Sequence, residues 1–157
     1  MKSFLRPLIV LLLITSCSSN STSEHDWPGV SVQKIDGITI DSSTVFKGNT
    51  TVISLWSTTC VPCRVELPQL QEFAAAHPEI DVIAVNLGDV PTSVQTYIDE
   101  IGLTMPVIID FEGRVSTALG ITSVPSTMVL SVTGKVLSTH LGEITADELA
   151  SLVETSS

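Results

Sequence analysis

The residues of this chain best suited to chemistry are Cys60 and Cys63, separated by Val61 and Pro62 within the stretch ISLWSTTCVPCRVELPQL, residues 53–70. Two thiols at this spacing can cycle between dithiol and disulfide, share a soft metal ion, or staple a turn. A staple here is of little use, because a disulfide across two intervening residues closes too short a loop to restrict the unfolded chain much. A structural zinc site needs four ligands, and there is neither a second C-x-x-C nor a His pair at ligand spacing. His77 and His140 are isolated in sequence and read as surface or structural residues. Copper(I) held by the two thiolates stays open beside redox exchange.

The elements around the pair favour a thiolate. Residues 51–56 (TVISLW) form an apolar, β-branched run that reads as a buried strand. A helix is expected from Val61 to about Ala76, with Leu67, Leu70 and Ala74 at helical spacing and His77-Pro78 ending it. Cys60 therefore falls where a strand gives way to a helix, and unsatisfied N–H groups and the helix dipole there lower a thiol's pKa. Pro62 suits the first helical turn, where its missing N–H costs nothing. Cys63 follows one turn on, giving one accessible thiolate and one inner thiol, as thiol–disulfide exchange requires.

The rest of the chain supplies a frame. Residues 30–40 read as a hairpin around Asp36-Gly37. Strands are expected at 81–86 (DVIAVN) and 105–109 (MPVII). Residues 126–132 and 135–140 read as a hairpin turning at Thr133-Gly134. A helix is expected to begin at Thr92 with a capping box to Gln95, burying Val94, Tyr97, Ile98 and Ile101. A second capping box, Thr145 with Glu148, opens a last helix that buries Leu149, Leu152 and Val153. This order implies an α/β layered domain with a mixed central sheet and helices on both faces.

The N-terminal end decides the compartment. Lys2 and Arg6 precede a short apolar run, residues 8–14, of signal-peptide length. It ends in Ile14-Thr15-Ser16-Cys17, which resembles a bacterial lipobox in which the cysteine is lipidated. Residues 1–16 are thus read as a lipoprotein signal peptide and 17–29 as the lipidated Cys17 with a flexible, Ser-rich tether that includes His25 and Asp26. Residues 30–157 are read as the domain. Lipid on Cys17 leaves an even pair of cysteines, as suits an exported protein. The formal charge is −10. Without Lys2 and Arg6, 5 basic residues face 17 acidic ones, a net of −12 that argues against nucleic acid as a partner.

The wider string Trp56-Ser-Thr-Thr-Cys60-Val-Pro-Cys63-Arg-Val-Glu66-Leu-Pro68 resembles the active-site segment of the thioredoxin superfamily, and within it the membrane-tethered TlpA/ResA-type thiol–disulfide oxidoreductases. The resemblance continues through Val85-Asn86, the helix near residues 92–102, Leu103-Thr-Met-Pro-Val107, and Gly120-Ile-Thr-Ser-Val-Pro-Ser-Thr127. It implies a thioredoxin-like fold with an N-terminal β-hairpin and an inserted helix. It makes Cys60 the nucleophile and Cys63 the resolving thiol of a redox disulfide. It makes Pro125 the cis-proline facing them, and Pro68 a kink in the helix. Glu66, by composition alone a solvated helix residue, becomes a functional carboxylate near the dithiol. It would replace the buried Asp that thioredoxins carry at the position of Ser54. Trp56, Pro62 and Val124 are expected to contact substrate. Thr59 stands where many relatives have Trp, which should shrink the apolar surface beside the thiols.

The resemblance implies a reductase of disulfides in exported proteins, apocytochrome c among them, recharged by a membrane thiol-electron carrier. No organic cofactor or metal is required for that chemistry. The expected location is the cell envelope, lipid-anchored and facing the periplasm or exterior, at the outer membrane in a Gram-negative cell because Ser18 follows Cys17. The competing class is a periplasmic copper(I) chaperone using Cys60 and Cys63.

Overall fold

A computed structural model describes residues 26–156. The expected signal peptide, the expected lipobox with Cys17, and the expected tether as far as residue 25 lie outside the described residues.

Seven strands form one sheet: β1 (Ser31–Lys34), β2 (Thr39–Asp41), β3 (Thr51–Trp56), β4 (Asp81–Leu87), β5 (Val107–Asp110), β6 (Ser126–Leu130) and β7 (Val136–Leu141). Their spatial order is β2-β1-β5-β4-β3-β6-β7. The central three, β5, β4 and β3, run parallel, and the remaining neighbours pair antiparallel. Four helices complete the domain: α1 (Val61–Ala76), α2 (Pro91–Ile101), α3 (Arg114–Leu119) and α4 (Ala146–Thr155). The mixed sheet, the N-terminal hairpin and the helix inserted between β4 and β5 are those of a thioredoxin-like fold.

Strand alternation sorts the core into two layers. Val52 and Trp56 of β3, Val82 and Ala84 of β4, and Val129 of β6 face α1, α2 and α4. Their neighbours Ile53, Leu55, Ile83, Val85 and Met128 face the other way, where Val115 of α3 and Trp27 cover them. Because β3 is buried on both faces along its whole length, it reads as a continuous apolar run. Among the described residues, no helix is long and apolar enough to cross a membrane.

Three expectations need correction. The tether does not extend to residue 29. Asp26 forms a β-bridge with Lys135, and Trp27 is only 6% exposed. Its N–H donates to Gly134 O at 2.8 Å, its indole Nε1 donates to Ser42 O, and its ring meets Phe46 edge-on. Among the described residues α3 is the one α-helix over the sheet face opposite α1, and a large indole contributed from before β1 packs into that layer beside it.

The Thr92 capping box does not form. Helix α2 starts one residue earlier at Pro91, with Val90 as its uncapped boundary, and Gln95 bonds to Asp99 instead. Proline at the first position has no N–H to cap and a preset φ, and this fixes the start without a side-chain cap. The strand expected at 105–109 begins at Val107 and continues to Asp110. Helix α3 and a 3-10 turn at Ser42–Val45 were not anticipated. Both are short, and α3 is held by Asp110, whose carboxylate accepts from Arg114 N, Val115 N and Ser116 N. The Thr145–Glu148 capping box is present as expected.

Candidate active site

Strand β3, paired on both sides, delivers the chain through Ser57, Thr58 and Thr59 to the N-terminus of α1. Cys60 is the N-cap of α1 and is disulfide-bonded to Cys63, with a Cα–Cα distance of 5.3 Å. The Cys63 N–H points at Cys60 Sγ from 3.3 Å. The two sulfurs are unequal: Cys60 is 9% exposed and Cys63 is sealed. Any attacking or leaving group from solvent therefore meets Cys60 first. Pro62 lies exposed in the first turn beside Val61, which is 80% exposed.

The approach loop is anchored by residues the sequence reading did not single out. Asp89 accepts from Thr58 N at 2.7 Å and from Asn86 Nδ2 at 2.8 Å, while its own N–H donates to Asn86 Oδ1. An Asn closing an apolar strand, three residues before an Asp, was the available signal. It is weak, because the loop it serves lies 31 residues away in sequence.

Glu66 is completely buried. It lies one helical turn beyond Cys63, on the same side of α1. Its Oε1 accepts from Ser54 Oγ at 3.1 Å and its Oε2 from Ile144 N at 3.1 Å. Burial raises its pKa above the ordinary carboxylate value, and the two hydrogen bonds oppose that rise without cancelling it. Glu143 pushes it further up and His140 pulls it down. A carboxyl so placed is poised to hold a proton that an exposed glutamate would give up. Ser54, at the position of the superfamily's buried Asp, thus serves as a hydroxyl partner of Glu66. The Ile144 donor is a backbone amide with no signature in the sequence.

The Val124–Pro125 peptide bond is cis. Pro125 is buried and opens β6, where Ser126 pairs with Leu55, so it lies beside the end of β3 from which the Cys60 loop departs. Its carbonyl accepts from Gly142 N, linking it to the loop that supplies Ile144. Val124 is half-buried against the same cluster as the two cysteines. The fold thus gathers Cys60, Cys63, Glu66, Val124 and Pro125 at one end of the sheet.

Trp56 is corrected as a substrate-contacting residue. Its side chain has no exposed surface. It packs against Tyr97 with ring centroids 4.9 Å apart and planes tilted by 36°, and Arg64, held by Glu100 at 2.6 Å, covers the Tyr97 ring. At the end of a central strand Trp56 faces helices, not solvent, and acts as a floor under the α1–α2 junction. The apolar surface beside Cys60 comes instead from Val61 and from Val65, 54% exposed, while Thr59 presents a hydroxyl. Among the described residues, no group of three or more His, Cys, Asp or Glu is placed to hold a metal ion.

Comparisons with known proteins agree with this arrangement. The Redoxin family model matches residues 23–154. Sporulation thiol-disulfide oxidoreductase A of Bacillus subtilis is 32% identical over 119 residues, covering 73% of this chain and 72% of that protein. Thiol-disulfide oxidoreductase ResA of Geobacillus thermodenitrificans is 28% identical over 113 residues, 71% of this chain and 65% of that protein. The chain therefore spans slightly under two thirds of the latter relative's length. The crystal structure of StoA from Bacillus subtilis superposes with a TM-score of 0.66 at 30% identity, covering 79% of this chain and 98% of that one. With a C-x-x-C disulfide at a helix N-terminus on this fold, the chain belongs to the Redoxin family, among its thiol–disulfide oxidoreductases.

Proposed function

We propose that the protein is a lipid-anchored reductase of disulfides in exported proteins, working outside the cytoplasm, with apocytochrome c thiols within its substrate class. The observation that carries the chemistry is the inequality of the two sulfurs, with a buried carboxyl one turn beyond the inner one. In the reduced protein, Cys60 thiolate attacks a substrate disulfide. One substrate sulfur leaves with the bonding electron pair and the other stays bonded to Cys60. Cys63 then gives its proton to Glu66 and attacks Cys60 Sγ, which breaks the mixed disulfide and forms Cys60–Cys63. The substrate is reduced by two electrons and the protein is oxidised by two. Cys17 carries the lipid in this reading, and a membrane thiol-electron carrier returns the electrons by attacking Cys60.

Pro125, with Val124 before it, is assigned the role of lining up an extended substrate segment beside the disulfide, supported by its position next to the end of β3. Val61, Pro62 and Val65 give that segment a small apolar rim. The test is a trap with the full chain carrying Cys63→Ser. Mixed disulfides through Cys60 should accumulate in the membrane fraction and move to the soluble fraction when Cys17→Ala is added. Alkylation of the reduced wild-type protein at neutral pH should modify Cys60 first. Failure to trap any disulfide partner, or preferential labelling of Cys63, overturns the assigned roles. Membrane retention with Cys17→Ala overturns the lipid anchor.

A further inference from the structure

Glu66 Oε2 accepts from Ile144 N at 3.1 Å, and the carbonyl of that same peptide unit, Glu143 O, lies 3.1 Å from His140 Nε2. A carbonyl only accepts, so Nε2 carries the hydrogen. One rigid, planar peptide group is therefore held from both ends, by an imidazole at its oxygen and by the buried carboxyl at its N–H. Hydrogen bonds linked through a peptide polarise one another, so the imidazole makes the N–H a better donor to Glu66.

The turn that carries this peptide is fixed on either side of it. β7 is held to β6 in register through His140 and Leu141. Gly142 then turns the chain with φ at +95°, in the region that favours glycine, and its N–H donates to Pro125 O at 2.9 Å. Ile144 is 1% exposed, and Thr145 opens the cap of α4. Glu143 between them is exposed. Without His140, the aim of the Ile144 N–H would rest on Glu66, the group that the N–H serves. A carboxyl accepts more weakly once it holds a proton, so a donor aimed by Glu66 would relax whenever Glu66 is protonated. An oxygen anchored by His140 keeps the donor aimed in both protonation states, and a preorganised donor costs no rearrangement at the moment of transfer.

We propose that His140 is a positioning residue for Glu66, acting through the Glu143–Ile144 peptide to hold the carboxyl's backbone donor in place. The proposal rests on the reading of Glu66 as the base for Cys63. Because a donor to the carboxylate favours the ionised form, the imidazole works against the rise that burial imposes on Glu66. Positive charge on His140 acts in the same direction, and Glu143 acts against it. The charged groups around His140 are Glu143, then Asp147 and Glu148 across the cleft it shares with α4, and Glu66 on α1. Thr127, its partner on β6, is neutral.

The test reads Glu66 itself. The amide resonance of Ile144, followed across pH in the isotope-labelled, oxidised full chain, should shift as Glu66 titrates, and Glu66→Gln should remove that transition. His140→Ala and His140→Leu both delete the donor. The second keeps bulk beside Ile144, so one variant decides if the other fails to fold. Each should raise the midpoint by about half a pH unit, and His140→Gln, which keeps an N–H for Glu143 O, should bring it back. The pH profile for resolution of a preformed mixed disulfide on Cys60 should move with it, slowing resolution about threefold on the acid side. An unmoved midpoint in the variants without a donor overturns the positioning role, and the base stands if Glu66→Gln still resolves slowly. A shift that His140→Gln fails to correct belongs to the charge of the imidazole and also overturns it. If Glu66→Gln resolves at the wild-type rate, the base reading fails and the positioning role fails with it.

Discussion

Among the described residues two carboxylates are buried, Asp110 and Glu66, and they are held in opposite ways. Asp110, at the end of β5, accepts three backbone N–H groups from the first turn of α3. Glu66, in the middle of α1, accepts one hydroxyl and one backbone N–H. The first arrangement spends both oxygens on fixing the chain and lies on the sheet face opposite α1, the face it shares with Ile108. The second leaves the carboxyl under-solvated, raises its pKa, and sets it one turn from a sealed sulfur. The contrast separates a carboxylate that builds structure from one placed to handle a proton. Burial alone does not distinguish them; the number of donors and the neighbouring group do.

The largest effect expected from this contrast is structural. Asp110→Ala leaves three N–H groups of a partly buried helix start without their acceptor and should cost about 2–4 kcal/mol of stability. Chemical denaturation of the oxidised protein reads this directly, and resolution kinetics of the remaining folded fraction should be close to wild type. Glu66→Gln should do the reverse. Gln can still accept from Ser54 or Ile144, so the denaturation midpoint should move little, while mixed-disulfide resolution slows by about 10²-fold. The same variant should lower the apparent pKa values of the reduced thiols, because a neighbouring negative charge is gone. Those values belong to a coupled set and are to be compared as macroscopic ones. A resolution defect in Asp110→Ala with none in Glu66→Gln would reverse the contrast.

The smallest effect concerns pH. The Glu66 pKa is raised in the folded protein, so folding binds its proton more tightly than the unfolded chain does. The stabilisation from this proton is complete below the unfolded value of about 4.5 and is lost as pH rises through the raised folded value. The stability of wild type relative to Glu66→Gln should therefore fall with rising pH inside that window, by up to about 1.4 kcal/mol per pH unit. Denaturation of the oxidised forms across pH 4–8 measures it. A difference that stays flat would mean that Glu66 titrates in the folded protein as it does in the unfolded chain.

Local physics made much of the molecule legible in advance. β3 and α1 fall at the expected residues because an apolar β-branched run and a helical repeat leave little choice, and the Cys60–Cys63 pair lies at their junction. The Thr145–Glu148 cap is likewise a contact between residues three apart, and it forms as read. The misses are positions where distant chain intervenes. Trp27 looks like tether until the sheet face it covers exists. Trp56, beside the cysteines in sequence, is buried by Tyr97 from an element some forty residues on.

The sequence by itself thus determined the strand–helix junction, the spacing and order of the two thiols, and the presence of a glutamate one turn beyond them, because each depends on neighbours within a few residues. Only the tertiary structure decided what that glutamate is. Ser54 from β3 and the backbone of Ile144, 78 residues away, close over it. Side-chain type cannot encode a backbone donor, and desolvation exists only once three distant segments have packed.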